Sequence, residues 1–168
     1  GCTGHTIANS SNCQHCFYIN RLERSKYMIM VDDTKDSYDV NNCCCVSELL
    51  YELSTGGVKA YNIKLSSDIW PNVSNITYSQ SCHNDVSDLF GCVSLQKKQY
   101  FILNKQYSEE EYQKLVTKII AQMDAMPYAD KKGRVYKYGE FFPPELSIYA
   151  YNETPAQDYF PSNQSQAE

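Results

Sequence analysis

The fold turns on the stretch Cys13-Gln14-His15-Cys16-Phe17-Tyr18-Ile19-Asn20-Arg21-Leu22. Its members Cys13, Cys16, Ile19 and Leu22 stand three apart. A half-buried strand steps by two, and an amphipathic helix by three and four alternately. A strict three fits neither. The same cadence returns in Val40, Cys43, Val46 and Leu49, in Val73, Ile76, Ser79 and Cys82, and in Val86, Leu89, Cys92 and Leu95. Very short strands joined by tight corners give this pattern, with Asn, Asp, Gly or Ser at the corner and a small residue inside. Stacked coils of that kind line up like residues in ladders along an axis. The reading is a mainly β chain, an irregular right-handed β-solenoid over residues 1–103, with these four series as its core ladder. The series begin at 13, 40, 73 and 86, so no fixed repeat length emerges. An irregular β-sandwich or meander is the competing architecture.

Downstream, Lys97 to Lys105 reads as an apolar strand bounded by charge. Ser108-Glu109-Glu110-Glu111 is a capping box, in which the Ser hydroxyl and the third helical Glu satisfy each other's backbone amides. Tyr112, Leu115, Val116, Ile119, Ile120 and Met123 follow at helical spacing on one face. The spacing predicts an amphipathic helix over 109–125 inside a capping segment 104–126. Residues 127–168 carry Pro143-Pro144, Pro155 and Pro161 among Tyr136, Tyr138, Phe141, Phe142, Tyr149, Tyr151, Tyr159 and Phe160. So many rings in a Pro-punctuated segment predict an extended C-terminal arm pinned to the body by its aromatics, with the last few residues loose.

The net charge of −5 argues against a general grip on phosphate backbones. No apolar run reaches the roughly 18 residues a membrane span needs. The opening Gly-Cys-Thr-Gly, without Met, reads as a processed product or an ordered fragment. Three of the eight cysteines are adjacent, at 43 to 45, and neighbouring side chains of an extended segment point to opposite faces. That arrangement suits reduced packing cysteines better than a disulfide framework and places the protein in the cytoplasm. Five glycosylation sequons, at Asn9, Asn72, Asn75, Asn152 and Asn163, leave an extracellular location open, although Asn-rich corners account for them without sugar.

Cys13-Gln-His-Cys16 is half of a zinc knuckle, and Cys82 and Cys92 are the other ligand candidates. No second paired motif follows, so no metal or other cofactor is assigned within this chain, and no catalytic residue either. His5, His15 and His83 are the available bases for a cysteine nucleophile, without a recognisable orienting Asp or Asn. Asp32, Asp33, Asp36 and Asp39 would serve a polysaccharide-acting enzyme if the fold gathered them with Lys or Arg on one face. Lys97, Lys98, Lys105, Lys131 and Lys132 among tyrosines would suit a single-stranded nucleic acid. Gly56-Gly57 lacks the Lys-Ser/Thr of a phosphate loop.

Two stretches carry a family likeness: Leu89-Phe-Gly-Cys-Val-Ser-Leu-Gln-Lys-Lys-Gln-Tyr-Phe-Ile-Leu-Asn-Lys-Gln-Tyr-Ser-Glu-Glu-Glu-Tyr112, and Tyr138-Gly-Glu-Phe-Phe-Pro-Pro-Glu-Leu-Ser147 with Tyr151-Asn-Glu-Thr154 and Tyr159-Phe-Pro161. They resemble an uncharacterised family of cysteine-rich proteins of uncultivated bacteria, whose members carry long runs of Asn-Cys and Cys-x-x-Cys triplets before this ending. The likeness is close from about 85 to 161 and looser before. It implies zinc-ribbon modules beyond Glu168, with zinc held in those flanking regions, and supports reading the triplets as solenoid steps. Many family cysteines are Tyr, Val, Leu or Ser here, and Phe101 stands where Cys is common, which favours packing over a metal array.

The function expected is a non-enzymatic scaffold or interaction protein that presents a solenoid surface to a protein partner or to further copies of itself. The alternative is a nucleic-acid- or ribosome-associated factor that grips through the flanking ribbons, followed by a β-helical polysaccharide-acting enzyme.

Overall fold

In the computed structural model, which describes residues 1–147 and Glu153, strands pair in parallel with partners a dozen residues along the chain. Gly4 lies beside Cys16, Phe17 beside Ile29 and Met28 beside Val40, each a step of twelve. From Thr34 the step becomes thirteen, as in Thr34 to Ser47, Val40 to Leu53, Ile63 to Ile76 and Val73 to Val86. Ser87 to Gln99 returns to twelve. The result is a β-solenoid of about eight turns. Its strands are β1 (Gly4–Ala8), β2 (Cys16–Glu23), β3 (Lys26–Lys35), β4 (Tyr38–Cys44), β5 (Ser47–Leu53), β6 (Gly56–Gly57), β7 (Ala60–Trp70), β8 (Val73–Thr77), β9 (Gln80–His83), β10 (Val86–Phe90) and β11 (Gln99–Ile102).

Each coil is built from triplets. The first residue points inward, the second outward, and the third turns the corner with φ near +50°. From Thr6 to Asn42 every third residue has a φ between 47° and 57°, whatever its type, including His15, Tyr18, Arg21 and Met30. Non-glycine residues in this left-handed region each cost on the order of 1 kcal/mol, least for Asn and Asp. Four triplets close a twelve-residue coil. The thirteenth residue enters at one corner only: Cys45-Val46, Val58-Lys59 and Asn84-Asp85 each place two left-handed residues in succession. At the equivalent corner Pro71 precedes left-handed Asn72.

Four inward ladders fill the interior. One runs Cys16, Met28, Val40, Leu53, Ser66, Ser79, Cys92, and a second Ile19, Val31, Cys43, Gly56, Ile69, Cys82. The third is Leu22, Thr34, Ser47, Ala60, Val73, Val86, and the fourth Cys13, Ser25, Ser37, Leu50, Ile63, Ile76, Leu89, Phe101. At Gly56 a Cβ would lie 2.7 Å from the Ile69 carbonyl oxygen, so the ladder has room there for backbone alone.

Serine and cysteine share a task in these ladders. The hydroxyls of Ser25, Ser37, Ser66 and Ser79 donate to the carbonyl two residues back, at 2.7 to 3.0 Å. Ser37, Ser66 and Ser79 also accept the amide of Leu50, Ser79 and Cys92 in the next coil. The thiols of Cys13, Cys16, Cys82 and Cys92 make the same backward bond at 3.2 to 3.5 Å. A buried hydroxyl left without such partners would cost about 1–3 kcal/mol. These bonds are why small polar residues occupy a core otherwise made of Leu, Ile and Val.

The predicted second series needs correction. Cys43 is inward, but the extra residue shifts the phase, so Val46 and Leu49 are 60% and 43% exposed and Ser47 and Leu50 take the interior. Leu95 is partly buried, and the other ladder residues named from the sequence are buried. The stretch 97–105 is also not one strand. β11 ends at Ile102, and left-handed Leu103 and Asn104 turn the chain into β12 (Lys105–Gln106), antiparallel to β11.

Ser108 then caps α1 (Glu109–Ala125) with both bonds of the capping box. Tyr112 is 6% exposed, packed with Phe90 and Ile102, while Leu115, Val116, Ile119, Ile120 and Met123 are partly buried beside them. Helix and hairpin together close the C-terminal end of the stack. The arm opens with a second hairpin, β13 (Tyr128–Ala129) and β14 (Val135–Tyr136), tied by the buried Asp130 carboxylate to the amides of Lys132 and Arg134. Tyr149, Tyr151, Tyr159, Phe160, Pro155, Pro161 and the sequons at Asn152 and Asn163 lie outside the described residues.

Candidate functional site

Inward positions are consumed by the ladders, so any site must be read from the outward rows. The arm selects one flank. Tyr78, at a corner, donates its hydroxyl to the Glu140 carbonyl at 2.9 Å and accepts the Gly139 amide at 3.0 Å. Its ring meets Tyr138, Phe142 and Phe90 at centroid distances near 6 Å. Two rungs earlier, on the adjoining outward row, Tyr51 donates to the Gly139 carbonyl at 3.4 Å, and burial with a neighbouring Glu52 pushes its hydroxyl up to about 12. Beyond these anchors residues 141–147 lean over the next wall of the stack.

That wall carries two outward rows. One runs Asn41, Ser54, Ser67, Gln80, Val93, and the corner beside it Asn42, Thr55, Asp68, Ser81, Ser94. Between wall and arm lies a cleft of about 920 Å³, lined by Ser54, Thr55, Ser67, Asp68, Gln80 and Ser81 on one side and by Phe141, Phe142, Pro143, Pro144, Leu146 and Ser147 on the other. Smaller crevices share residues with it at both ends, through Ser54 and Phe141 on one side and Gln80 and Phe142 on the other. Ser81 donates to the Asp68 carboxylate at 2.9 Å, and the His83 Nε2 lies 3.6 Å from the same oxygen. The carboxylate thus bridges hydroxyl and imidazole, the reverse of a relay in which the imidazole bridges.

Comparison with protein-family models, curated proteins and solved structures finds no match.

The cysteine candidates are dispersed. Cys13 and Cys16 sit on two walls of an early coil, and Cys82 and Cys92 lie several coils away. Among the described residues no three His, Cys, Asp or Glu side chains converge as a metal site would need. Burial pushes the Cys13 thiol up to about 11 and raises Cys16, Cys82 and Cys92, which keeps these sulfurs protonated and unreactive at neutral pH. Every histidine occupies an outward or corner place, so triplet geometry itself separates imidazole from inward thiol. His15 stacks on Tyr27 with centroids 5.2 Å apart.

The acidic candidates are paired. Asp32 and Asp33 face Arg21 at 2.8 and 3.7 Å, and Asp36 takes Arg24 through both oxygens at 2.6 and 2.7 Å. Arg24 holds the Asp36 carboxyl below its usual range. Asp39 stands on another corner, next in line to Glu52. Lys98 lies over Phe101 and Lys105 over Tyr107, while Lys131 and Lys132 belong to the arm hairpin. Asn9, Asn72 and Asn75 each donate to an amide or carboxylate one coil on, at 2.9 to 3.1 Å. No helix among the described residues is long and apolar enough to cross a membrane.

The cleft residues Ser54, Ser67, Asp68, Gln80 and Ser81 escaped the sequence reading. Their signal is the thirteen-residue spacing of outward positions, visible only after the extra corner residue is recognised.

Proposed function

We propose that this protein is a non-enzymatic scaffold: a stiff stack that presents its flank to a partner and joins a second copy at its open end. The observation that carries this reading is the contrast between the two ends. The last coil is covered by the β11–β12 hairpin and α1. The outer edge of β1 pairs with nothing among the described residues. Beside that edge, two rungs expose Phe17, Tyr18, Ile29 and Met30 at 43%, 60%, 43% and 57%. A free parallel edge flanked by large apolar side chains favours association.

Sedimentation velocity over a concentration series tests this. The chain is expected to dimerise, and Ile29→Lys on an outward position combined with Met30→Glu on the adjoining corner is expected to leave it monomeric with its β signal intact. A chain that stays monomeric at every concentration would rule out end-on assembly.

A further inference from the structure

The cleft under the arm combines two surfaces that rarely face each other without a ligand to match. Its floor is a row of small polar groups repeating once per coil: Ser54, Ser67, Gln80, with Asp68 on the adjoining corner. Rungs repeat at the inter-strand spacing of about 4.8 Å, so the row from Asn41 to Val93 spans about 19 Å over four steps. Its wall is apolar and rigid, made by Phe142 and the Pro143-Pro144 pair. The occupant must therefore be long, polar along one side and apolar along the other, at every point of its length.

Charge narrows the choice. Among the described residues no Lys or Arg lines the 920 Å³ cleft, and the ionisable side chain there is Asp68. A phosphate or uronate polymer would meet a carboxylate and no cation. Backbone chemistry narrows it further. The floor's amides and carbonyls are spent between coils, as in Ser67 donating to Ser79 and Gln80 to Cys92. A peptide cannot add itself there as a strand, and the floor has no apolar pocket to hold alternate side chains. A pyranose chain meets all the conditions. Its hydroxyls reach Ser, Gln and Asp, and its C–H faces lie on phenyl and prolyl rings.

We infer that this cleft binds a neutral glycan chain laid along the solenoid axis, with Phe142 as stacking platform and Ser54, Ser67, Asp68 and Gln80 as the hydroxyl-reading row. The inference rests on the scaffold reading only in treating the flank as a binding surface, and it requires neither end-on assembly nor catalysis.

Isothermal titration with cellohexaose, xylohexaose and mannohexaose tests it, with an oligothymidylate and an extended Ser-Val repeat peptide as the other polymer classes. At least one hexasaccharide is expected to bind saturably, and Phe142→Ala, at a ring 37% exposed, to weaken it about tenfold. Ser67→Trp fills the floor from an outward position and is expected to abolish binding while circular dichroism retains the β signal. Gln80→Ala gives a smaller loss and serves if the tryptophan variant fails to fold. Absence of binding by all three sugars, binding indifferent to Phe142→Ala, or binding of the peptide or the nucleotide instead would each overturn the assignment. Sedimentation of the same variants separates the two ideas: glycan binding can fail while dimers persist, and dimers can fail while glycan binding persists.

Discussion

Glu52 sits at the corner rung between Asp39 and Leu65, under the arm, with one carboxylate oxygen buried and without a hydrogen-bond partner among the described residues. Burial raises its carboxyl above the usual range, Tyr51 and the Phe141 backbone lower it, and the like charges of Asp39 and Glu140 raise it again. The folded state therefore binds this proton more tightly than the unfolded chain does. Stability tied to Glu52 is full below the ordinary carboxylate pKa and is lost as pH rises through the raised folded value. Glu52→Gln is expected to raise the unfolding temperature at about pH 8 and to have little effect at about pH 4. Thermal unfolding of both chains across that range checks it, and a pH-independent difference would discount the carboxylate as the cause. This arrangement was invisible in the sequence, because Glu52 belongs to no motif and its burial depends on an arm nearly ninety residues away. The inward residues of the first, third and fourth series were legible because each alone decides which side of the wall it takes. Ser25, Ser37, Ser47 and Ser66 were not, since a serine read in isolation signals a corner. Only the bond back to a carbonyl makes it a core residue.

The extra corner residues set the register of β5, β7, β8 and β10. Three of them, Val46, Lys59 and Asn72, fall between Val40 and Val73, so three slips of one restore the original phase. The sequence consequently looked in step at 13, 40 and 73 while the interior ran out of step between them. That is why Val46 and Leu49 were misplaced and why the series from Val73 was not. These slips predict unequal tolerance to deletion. Removing Val46 moves the boundary between twelve- and thirteen-residue coils by one turn. Removing Asn72 sets a short coil between two longer ones and strips the Asn72 amide from Asp85. The Asn72–Asp85 bond is exposed and its loss costs little, but each buried backbone group that the mismatched coil leaves unpaired costs about 1–3 kcal/mol, so the second deletion is expected to be the more costly of the two. Denaturant midpoints of the two variants measure this, and equal losses would show that corner stacking does not set the register. The helix needed no such context: its capping box and apolar face lie within one short segment.

Each coil of the stack touches chiefly its neighbours, so stability propagates along one dimension. Tyr112 is the one buried residue of α1, wedged on the last coils against Phe90 and Ile102, with the Tyr100 ring 5.8 Å away. Tyr112→Ala is expected to cost on the order of 3 kcal/mol and to loosen the C-terminal turns first. Amide exchange should quicken in β10 and β11 and stay unchanged in β2 and β3. Uniform quickening would mean that the stack opens as a single unit. The repeat has a further outcome for the molecule's history. In a two-residue alternation an insertion of one turns a strand inside out. Here a three-residue insertion would keep every inward residue inward and merely advance the downstream rod by one wall, a quarter revolution about its axis. Short indels would therefore re-aim whole flanks relative to one another, so that a ligand-bearing wall and a copy-joining wall could be swung together or apart without rebuilding either.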